Sequence, residues 1–429
     1  MVSMCFYFQV HQPYRVRQYS IFDIGNEKEY FSDRSGTKLD NKWIIDKVSG
    51  KCYLPTNAVL LELLNKHPEF KISFSFSGVF LEQLEEFAPE VLKSFQDLVA
   101  TGRVEILSET YYHSLAFLFD RDEFWEQVRL HDKLVKQLFG VKPMVLRNTE
   151  LIYNNEFAVA AEGMGYKGVL AEGWDHYLGW RSPNFLYSAP GTKKIKVLLK
   201  NYKLSDDIAF RFSNRGWKEW PLDVDKYMSW VNSINGNGET VNLFMDYETF
   251  GEHQWEDTGI FEFLRHLPGE FLKHPDNNFK TPSEVIDSYE TRGEYDIHNF
   301  LSWADMERDL SAWTGNEIQT AASDRAYAFG EKVKLTGNGK LIHRWRKLLT
   351  SDHFYYMCTK YFSDGDVHKY FNPYDSPYDA FISYMNVLQD LELEVNGILE
   401  ERGFLKSGEI VNNEINLRVS NNMTNGNKN

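Results

Sequence analysis

The sequence predicts an α/β fold: an incomplete (β/α)7 barrel followed by a C-terminal α-helical bundle. Three observations predict it. Short apolar strands alternate with amphipathic helices from residue 4 to residue 245, the pattern of parallel strands joined by crossover helices. Strand after strand runs out into a polar residue (His11, Glu109, Glu150, Asp175, Asp246), and in such barrels chemistry sits on the loops at the carboxyl ends of the strands. After about residue 300 only helical spacing remains. The expected division is a barrel over 1–295, a helical domain over 296–410 that contributes to the cleft, and a polar, frayed tail over 411–429.

Taken in order, residues 4–10 are an apolar strand, stopped at His11-Gln12-Pro13 because proline cannot donate to a ladder. Residues 14–53 are charged and weakly periodic, a long excursion. From Pro55 the apolar positions Val59, Leu60, Leu63 and Leu64 mark one face of a helix. Residues 71–77 alternate strictly, as a strand does. Residues 79–100 are amphipathic and interrupted by Pro89, so two helices are expected, closed at Gly102. A third strand, 103–108, leads to Glu109 and His113. A helix follows to Phe139, with Asp120 or Asp122 as N-cap and Gly140 as C-cap. Residues 143–149 are a fourth strand ending at Glu150, Asn155 to Glu162 a short helix, and 167–171 a fifth strand ending at Glu172, Trp174 and Asp175. Residues 186–200 read as a hairpin turning at Gly191, with Lys196 to Lys200 the sixth barrel strand. Val241 to Met245 is the seventh; seven are too many for a small flavodoxin-like sheet and suit a barrel one unit short of eight. Helices are then expected over Glu317 to Leu335, Leu341 to Tyr361 and Tyr378 to Leu399.

Composition bounds the function. A formal net charge of −15 argues against a nucleic-acid or anionic-membrane partner. Eleven Trp, 24 Tyr and 31 Phe supply flat faces of the kind that pack on sugar rings, although most aromatics are core. Cys5, Cys52 and Cys358 form no CxxC pair and no zinc spacing, which fits a reducing compartment. The N-terminus lacks a basic start followed by a long apolar stretch, and no apolar run reaches the length of a span, so the cytoplasm is the expected location.

The chemistry concentrates at Val241 to Gly259, where an apolar strand turns into acids and aromatics: Asp246, Glu248, Glu252, His253 and Trp255, with Gly251 allowing a sharp turn. A solvated acidic loop is the bland alternative. HExxH, a Walker loop and GxSxG are all absent, and no cofactor is expected. The histidines are spread over separate segments, and no metal is expected. What remains is a carboxylate pair. Glycoside hydrolysis needs one carboxyl to protonate the leaving oxygen and another to attack the anomeric carbon or activate water, with pKa values pushed apart. Glu150 and Asp246 are the candidates, because each ends a predicted strand.

The same residues resemble glycoside hydrolase family 57, its α-amylase-like branch. His11-Gln12-Pro13 is similar to that family's first signature; Val104-Glu105-Ile106-Leu107 with Tyr111-Tyr112-His113 to its second; Arg147-Asn148-Thr149-Glu150 to its third; Met245 to Gly251 to its fourth; and Leu301 to Asp305 to its fifth. The resemblance implies a (β/α)7 barrel with a helical domain, no required metal, and a retaining mechanism on α-glucans with Glu150 as nucleophile and Asp246 as acid/base. Many members carry Trp-Leu before the nucleophile, where this chain has Arg147-Asn148-Thr149. His11, Gln12, Glu109, His113, Trp174, Asp175, Glu248, His253, Trp303 and Asp305 are the expected substrate-binding residues, Trp174, Trp255 and Trp303 as stacking platforms. Glu105, in mid-strand, is expected to be structural. Glucanotransferase or branching activity is the near alternative. A metal-dependent polysaccharide deacetylase and a silent carbohydrate-binding protein are the distant ones.

Overall fold

The computed structural model describes residues 2–362 and 367–404. The strand it is built around is β1, Ser3–Val10, with every residue buried. Burial on both faces explains why it reads as a continuous apolar run. It pairs in parallel with β2, Ile72–Phe76, and with β8, Thr240–Asp246. Its first residues also pair with a two-residue strand β9, Asn278–Phe279. Beyond β2 lies β3, Val104–Ile106. These five strands form one sheet. The second sheet holds β4 (Val145–Leu146), β5 (Gly168–Glu172), β6 (Leu186–Ser188), β7 (Lys196–Lys200) and β10 (Thr291–Glu294) in the order β10-β6-β7-β5-β4. The pairs β4/β5 and β5/β7 are parallel, and β6/β7 is the expected hairpin.

The two sheets meet along two seams. At one, Ser108 N–H donates to the Val145 carbonyl (2.9 Å) and Arg147 N–H to the Ser108 carbonyl (2.8 Å). At the other, Asn201 N–H donates to the Asn242 carbonyl (2.9 Å) and the Asn242 amide to the Leu199 carbonyl (2.9 Å). Alternate residues of the strands then serve two layers. Cys5, Tyr7, Leu107, Val145, Leu170, Leu198 and Phe244 meet in one small cluster. Met4, Phe6, Phe8, Phe74 and Phe76 face the other way, onto the helices Leu54–Lys66, Gly78–Phe87 and Pro89–Ala100. Glu105 accepts from the Ser283 N–H (2.9 Å), at the start of the helix Pro282–Ser288.

Several elements differ from expectation. The fourth strand keeps only two residues, because the chain turns at once into a 3-10 segment, Thr149–Leu151. The excursion holds a helix, Asn41–Val48, capped by Asp40 and continued by π-helical Ser49–Tyr53. Helices Tyr202–Ala209, Val224–Asn232 and Ile260–Phe271 occupy stretches the sequence reading left unassigned. The helix expected over Leu341 to Tyr361 is two, Gly339–Leu348 and Ser351–Tyr355. Between them Thr350 turns extended and its hydroxyl donates to the Tyr112 carbonyl (2.9 Å), tying the break to the loop after β3. Glu317 to Leu335 likewise divides into Glu317–Ala328 and Gly330–Leu335; a Cβ on Gly330 would meet the Trp345 ring at 2.5 Å.

The last helix, Pro377–Glu401, packs against the others in a core shared with β5, β7 and the helix Arg121–Phe139. Its buried Asp390 accepts from Tyr30 Oη (2.5 Å) and Lys28 Nζ (2.9 Å), which pins the excursion to it. Cys5, Cys52 and Cys358 are buried and unpaired. No described helix is long and apolar enough to cross a membrane. The expected tail over 411–429 lies outside the described residues.

Candidate active site

The residues that follow β1, β3, β4, β7 and β8 converge on one cavity, closed on the other side by the loop around Trp303 and by Asp352 and Tyr355. The backbone is left-handed at Glu150. Both Glu150 (φ 57°) and Leu151 (φ 51°) are left-handed, a conformation costly for branched or long side chains. Asn148 holds the turn: its amide donates to the Ile152 carbonyl (2.9 Å) and its oxygen accepts from the Thr149 N–H (3.0 Å). Tyr153 and Leu301 exchange both backbone bonds, and Trp303 N–H donates to the Glu150 carbonyl (3.2 Å). The turn is therefore laced to the Trp303 loop.

The Glu150 carboxylate is held at both oxygens. Trp303 Nε1–H donates to Oε2 (2.6 Å), and His113 Nε2 lies 3.3 Å from Oε1. The other imidazole nitrogen, Nδ1, is 2.9 Å from Glu109 Oε2, and Glu109 Oε1 accepts from Gln9 Nε2 (3.0 Å). An imidazole between two carboxylates is a cation that donates twice. Burial would lower the His113 pKa, but the bonds to Glu109 and Glu150 outweigh it and raise it to about 9. Burial raises Glu109, and His113 reverses this, bringing it to about 2. Burial also raises Glu150; the bond and charge of His113, then Arg147 and the Trp303 N–H, hold it below the ordinary carboxylate range.

Asp246 ends β8 and has no side-chain hydrogen bond among the described residues. Burial first, and the Glu150 charge second, push it up to about 6, against Arg147, Lys200 and His113. Glu248 goes further, to about 8, through burial and the Asp246 charge; Tyr53 Oη donates to its Oε1 (2.5 Å). The like charge that lifts Asp246 is thus chiefly that of Glu150.

His11 stacks on His113, with ring centroids 3.9 Å apart and planes 19° from parallel. Its Nε2 is 3.0 Å from Asp352 Oδ2 and its Nδ1 2.6 Å from Ser77 Oγ. Burial and the His113 charge lower its pKa, so neutral His11 donates to Asp352 and accepts from Ser77. His11, His113 and Asp352 are close enough to suggest a metal site. Stacked rings, however, point their lone pairs side by side rather than at a common ion, and both His113 nitrogens face carboxylates. The set fits a hydrogen-bond network better than a coordination sphere.

Gln12, Glu248, His253, Trp303 and Asp305 also line the cavity. Gln12 accepts from Arg15 Nη2 (2.9 Å), and His253 packs edge-on against Phe371, its pKa lowered to about 4 by burial and Lys47. Asp305 is committed: His368 Nε2 lies 3.1 Å from each of its oxygens and Lys360 Nζ 3.1 Å from Oδ2. Glu109 is fully buried behind His113 rather than in the wall. Trp174 and Asp175 are not brought to the cavity. Trp174 lies against His176 and Tyr177, and Asp175 accepts from Tyr202 Oη (3.0 Å) and pairs with Lys203 (2.7 Å). Trp255 stands outside as well, exposed and beneath Lys51. Sequence reasoning missed Arg15, Lys200 and Asp352. A signal for Asp352 existed: Asp352-His353-Phe354-Tyr355-Tyr356 is an acid among aromatics, like the stretch after Asp246.

The model of the family "Glycosyl hydrolase family 57" matches residues 5–298. A protein of Methanocaldococcus jannaschii named "Putative alpha-amylase" is 47% identical over 94% of this chain and 86% of its own length. An "Alpha-amylase" of Pyrococcus furiosus is 25% identical over 58% of this chain, which spans only 37% of that protein. Among solved structures, a GH57-type branching enzyme from Pyrococcus horikoshii superposes with TM-score 0.65 at 14% identity, covering 94% of this chain and 95% of that one. At that identity the likeness shows the fold alone.

Proposed function

Since the chain belongs to glycosyl hydrolase family 57, we propose that it is a retaining hydrolase of α-1,4-glucans, with Glu150 as nucleophile and Asp246 as acid/base. The observation that carries this is the opposite displacement of two acids in one cavity: Glu150 held down, Asp246 raised to about 6. Ionised Glu150 attacks the anomeric carbon, the glycosidic C–O bond breaks, and protonated Asp246 gives its proton to the leaving oxygen. Asp246, now a carboxylate, takes a proton from water as its oxygen attacks the glycosyl ester, and Glu150 leaves. An acceptor sugar hydroxyl in place of water gives glucanotransfer or branching by the same steps. A retaining pair stands about 5–5.5 Å apart.

Trp303, His11, Gln12, His113, Glu248 and His253 are the proposed substrate contacts, with Asp305 as an anchor of the wall. The finer architecture belongs to the same reading. In it β1, β2, β3, β4, β5, β7 and β8 close a (β/α)7 barrel through the two seams, over 1–295, and a helical domain over 296–410, whose last six residues lie outside the described residues, completes the cleft. The inner cluster, which takes side chains from five of those strands, supports it. Unpaired buried cysteines fit a cytoplasmic location. A metal-dependent deacetylase is disfavoured by the stacked imidazoles.

The test is product analysis on maltooligosaccharides and amylose, with the anomer released first read by proton NMR. An α-anomer is expected, with longer products appearing if transfer competes. Release of the β-anomer, or no turnover of either substrate, would sink the proposal.

A further inference from the structure

Arg147 directly follows β4 and stands three residues before Glu150. Its side chain is fully buried, yet Nε, Nη1 and Nη2 have no hydrogen-bond partner among the described residues. A buried guanidinium is ordinarily forked onto a carboxylate, and leaving it bare is costly. Packing alone does not account for it. It lies in the wall that holds Glu150 and Asp246, with Cζ 5.0 Å from the centroid of the Trp303 ring. Lys200 Nζ is 5.2 Å from the same centroid. The indole so flanked donates its N–H to Glu150 Oε2 (2.6 Å).

An arginine forked onto one acid would spend its charge there. An unforked one acts on every carboxylate within range, because Coulomb attraction fades only as the inverse of distance and is weakly screened in a buried site. We infer that Arg147 is a positioning residue that acts through Glu150: its bare charge keeps that carboxylate ionised, and its packing on Trp303 keeps the indole N–H aimed at it. This rests on the reading of Glu150 as nucleophile. Other groups facing Glu150 are His113 from the loop after β3, Asp246 at the end of β8, and Tyr355 from the helix Ser351–Tyr355. Lys200 stands by the Trp303 ring, and Glu109, His11 and Asp352 surround His113. Of the cations, His113 is shared with Glu109 and Lys200 is paired with Asp206 (3.0 Å), so Arg147 is the one not committed elsewhere.

The experiment titrates the full chain carrying 13C-carboxyl glutamate, with the Glu150 resonance assigned by its loss in Glu150→Gln. In Arg147→Met the Glu150 midpoint is expected to rise by about one pH unit or more, and Arg147→Lys to return most of it. The acid limb of kcat/KM on a maltooligosaccharide should move by the same amount. An unchanged midpoint in folded Arg147→Met, whatever its melting temperature, overturns the inference. Should that variant not fold, Arg147→Gln reads the same midpoint with the charge removed. A wild-type chain with no turnover would instead sink the functional reading, a failure distinct from an unmoved Glu150 midpoint.

Discussion

At the scale of single residues the candidate site is a problem in charge placement. His113 is a cation because two acids face it, Glu150 is held low because His113 and Arg147 face it, and burial, then the Glu150 charge, raise Asp246 to about 6. The active form needs Glu150 ionised and Asp246 protonated. We therefore expect kcat/KM to rise with pH through the lowered Glu150 pKa and to fall as pH rises through about 6. A profile still rising above that point would remove Asp246 as the acid. Taking away the negative neighbour should lower Asp246, so in Glu150→Gln its 13C carboxyl midpoint should move downward. Glu150→Gln and Asp246→Asn should each lose on the order of 10²-fold or more in kcat, measured by reducing-sugar release.

At the scale of elements the loop after β8 depends on one close approach. Gly251 has φ 107°, and a Cβ there would fall 2.0 Å from the Lys51 carbonyl oxygen in the π-helical segment Ser49–Tyr53. Gly251→Ala must move that segment or the loop that carries Glu248 and His253. We expect a loss of about 2 kcal/mol or more in stability by denaturant unfolding, together with a raised KM. Asp120→Ala is the contrasting variant. It removes the N-cap acceptor of Arg121–Phe139 and should cost about 1 kcal/mol while leaving kcat unchanged. That cap, the break at Pro89 and the strict alternation of 71–77 were legible in the sequence because each signal spans a few neighbouring residues. The shortening of β4 was not, since it follows from a left-handed turn held by bonds to Asn148 and to the Trp303 loop.

At the scale of the whole molecule, the helical part must be fixed to the strands for Trp303, Asp305 and Asp352 to close the cavity. One clamp is buried: Arg346 donates from Nε to Glu123 Oε1 (2.7 Å) and from Nη2 to Glu126 (2.7 Å), with Lys334 2.8 Å from Glu123. Arg346→Met leaves Glu123 buried with less of its compensating charge. We expect a loss of about 3–5 kcal/mol, with much of it regained in Arg346→Met/Glu123→Met. A single variant as stable as wild type would show that the clamp is not needed. Such a pair, more than 200 positions apart in sequence, leaves no periodic trace in the chain.

The sequence by itself determined the alternating strands β1 to β5, β7 and β8 and the polar residues at their ends, though not every helix between them. Strand and helix spacing are local, and a polar residue at the close of an apolar run is visible without any fold; Glu150, Asp246 and His11 were found that way. Only the tertiary structure decided the company those residues keep. It set Asp352 against His11, left Arg147 bare beside Glu150, spent Asp305 on His368 and Lys360, and left Trp174 and Asp175 outside the cavity. The reason is physical: protonation and hydrogen bonding depend on distance through space between groups hundreds of residues apart, and local periodicity carries no information about that distance.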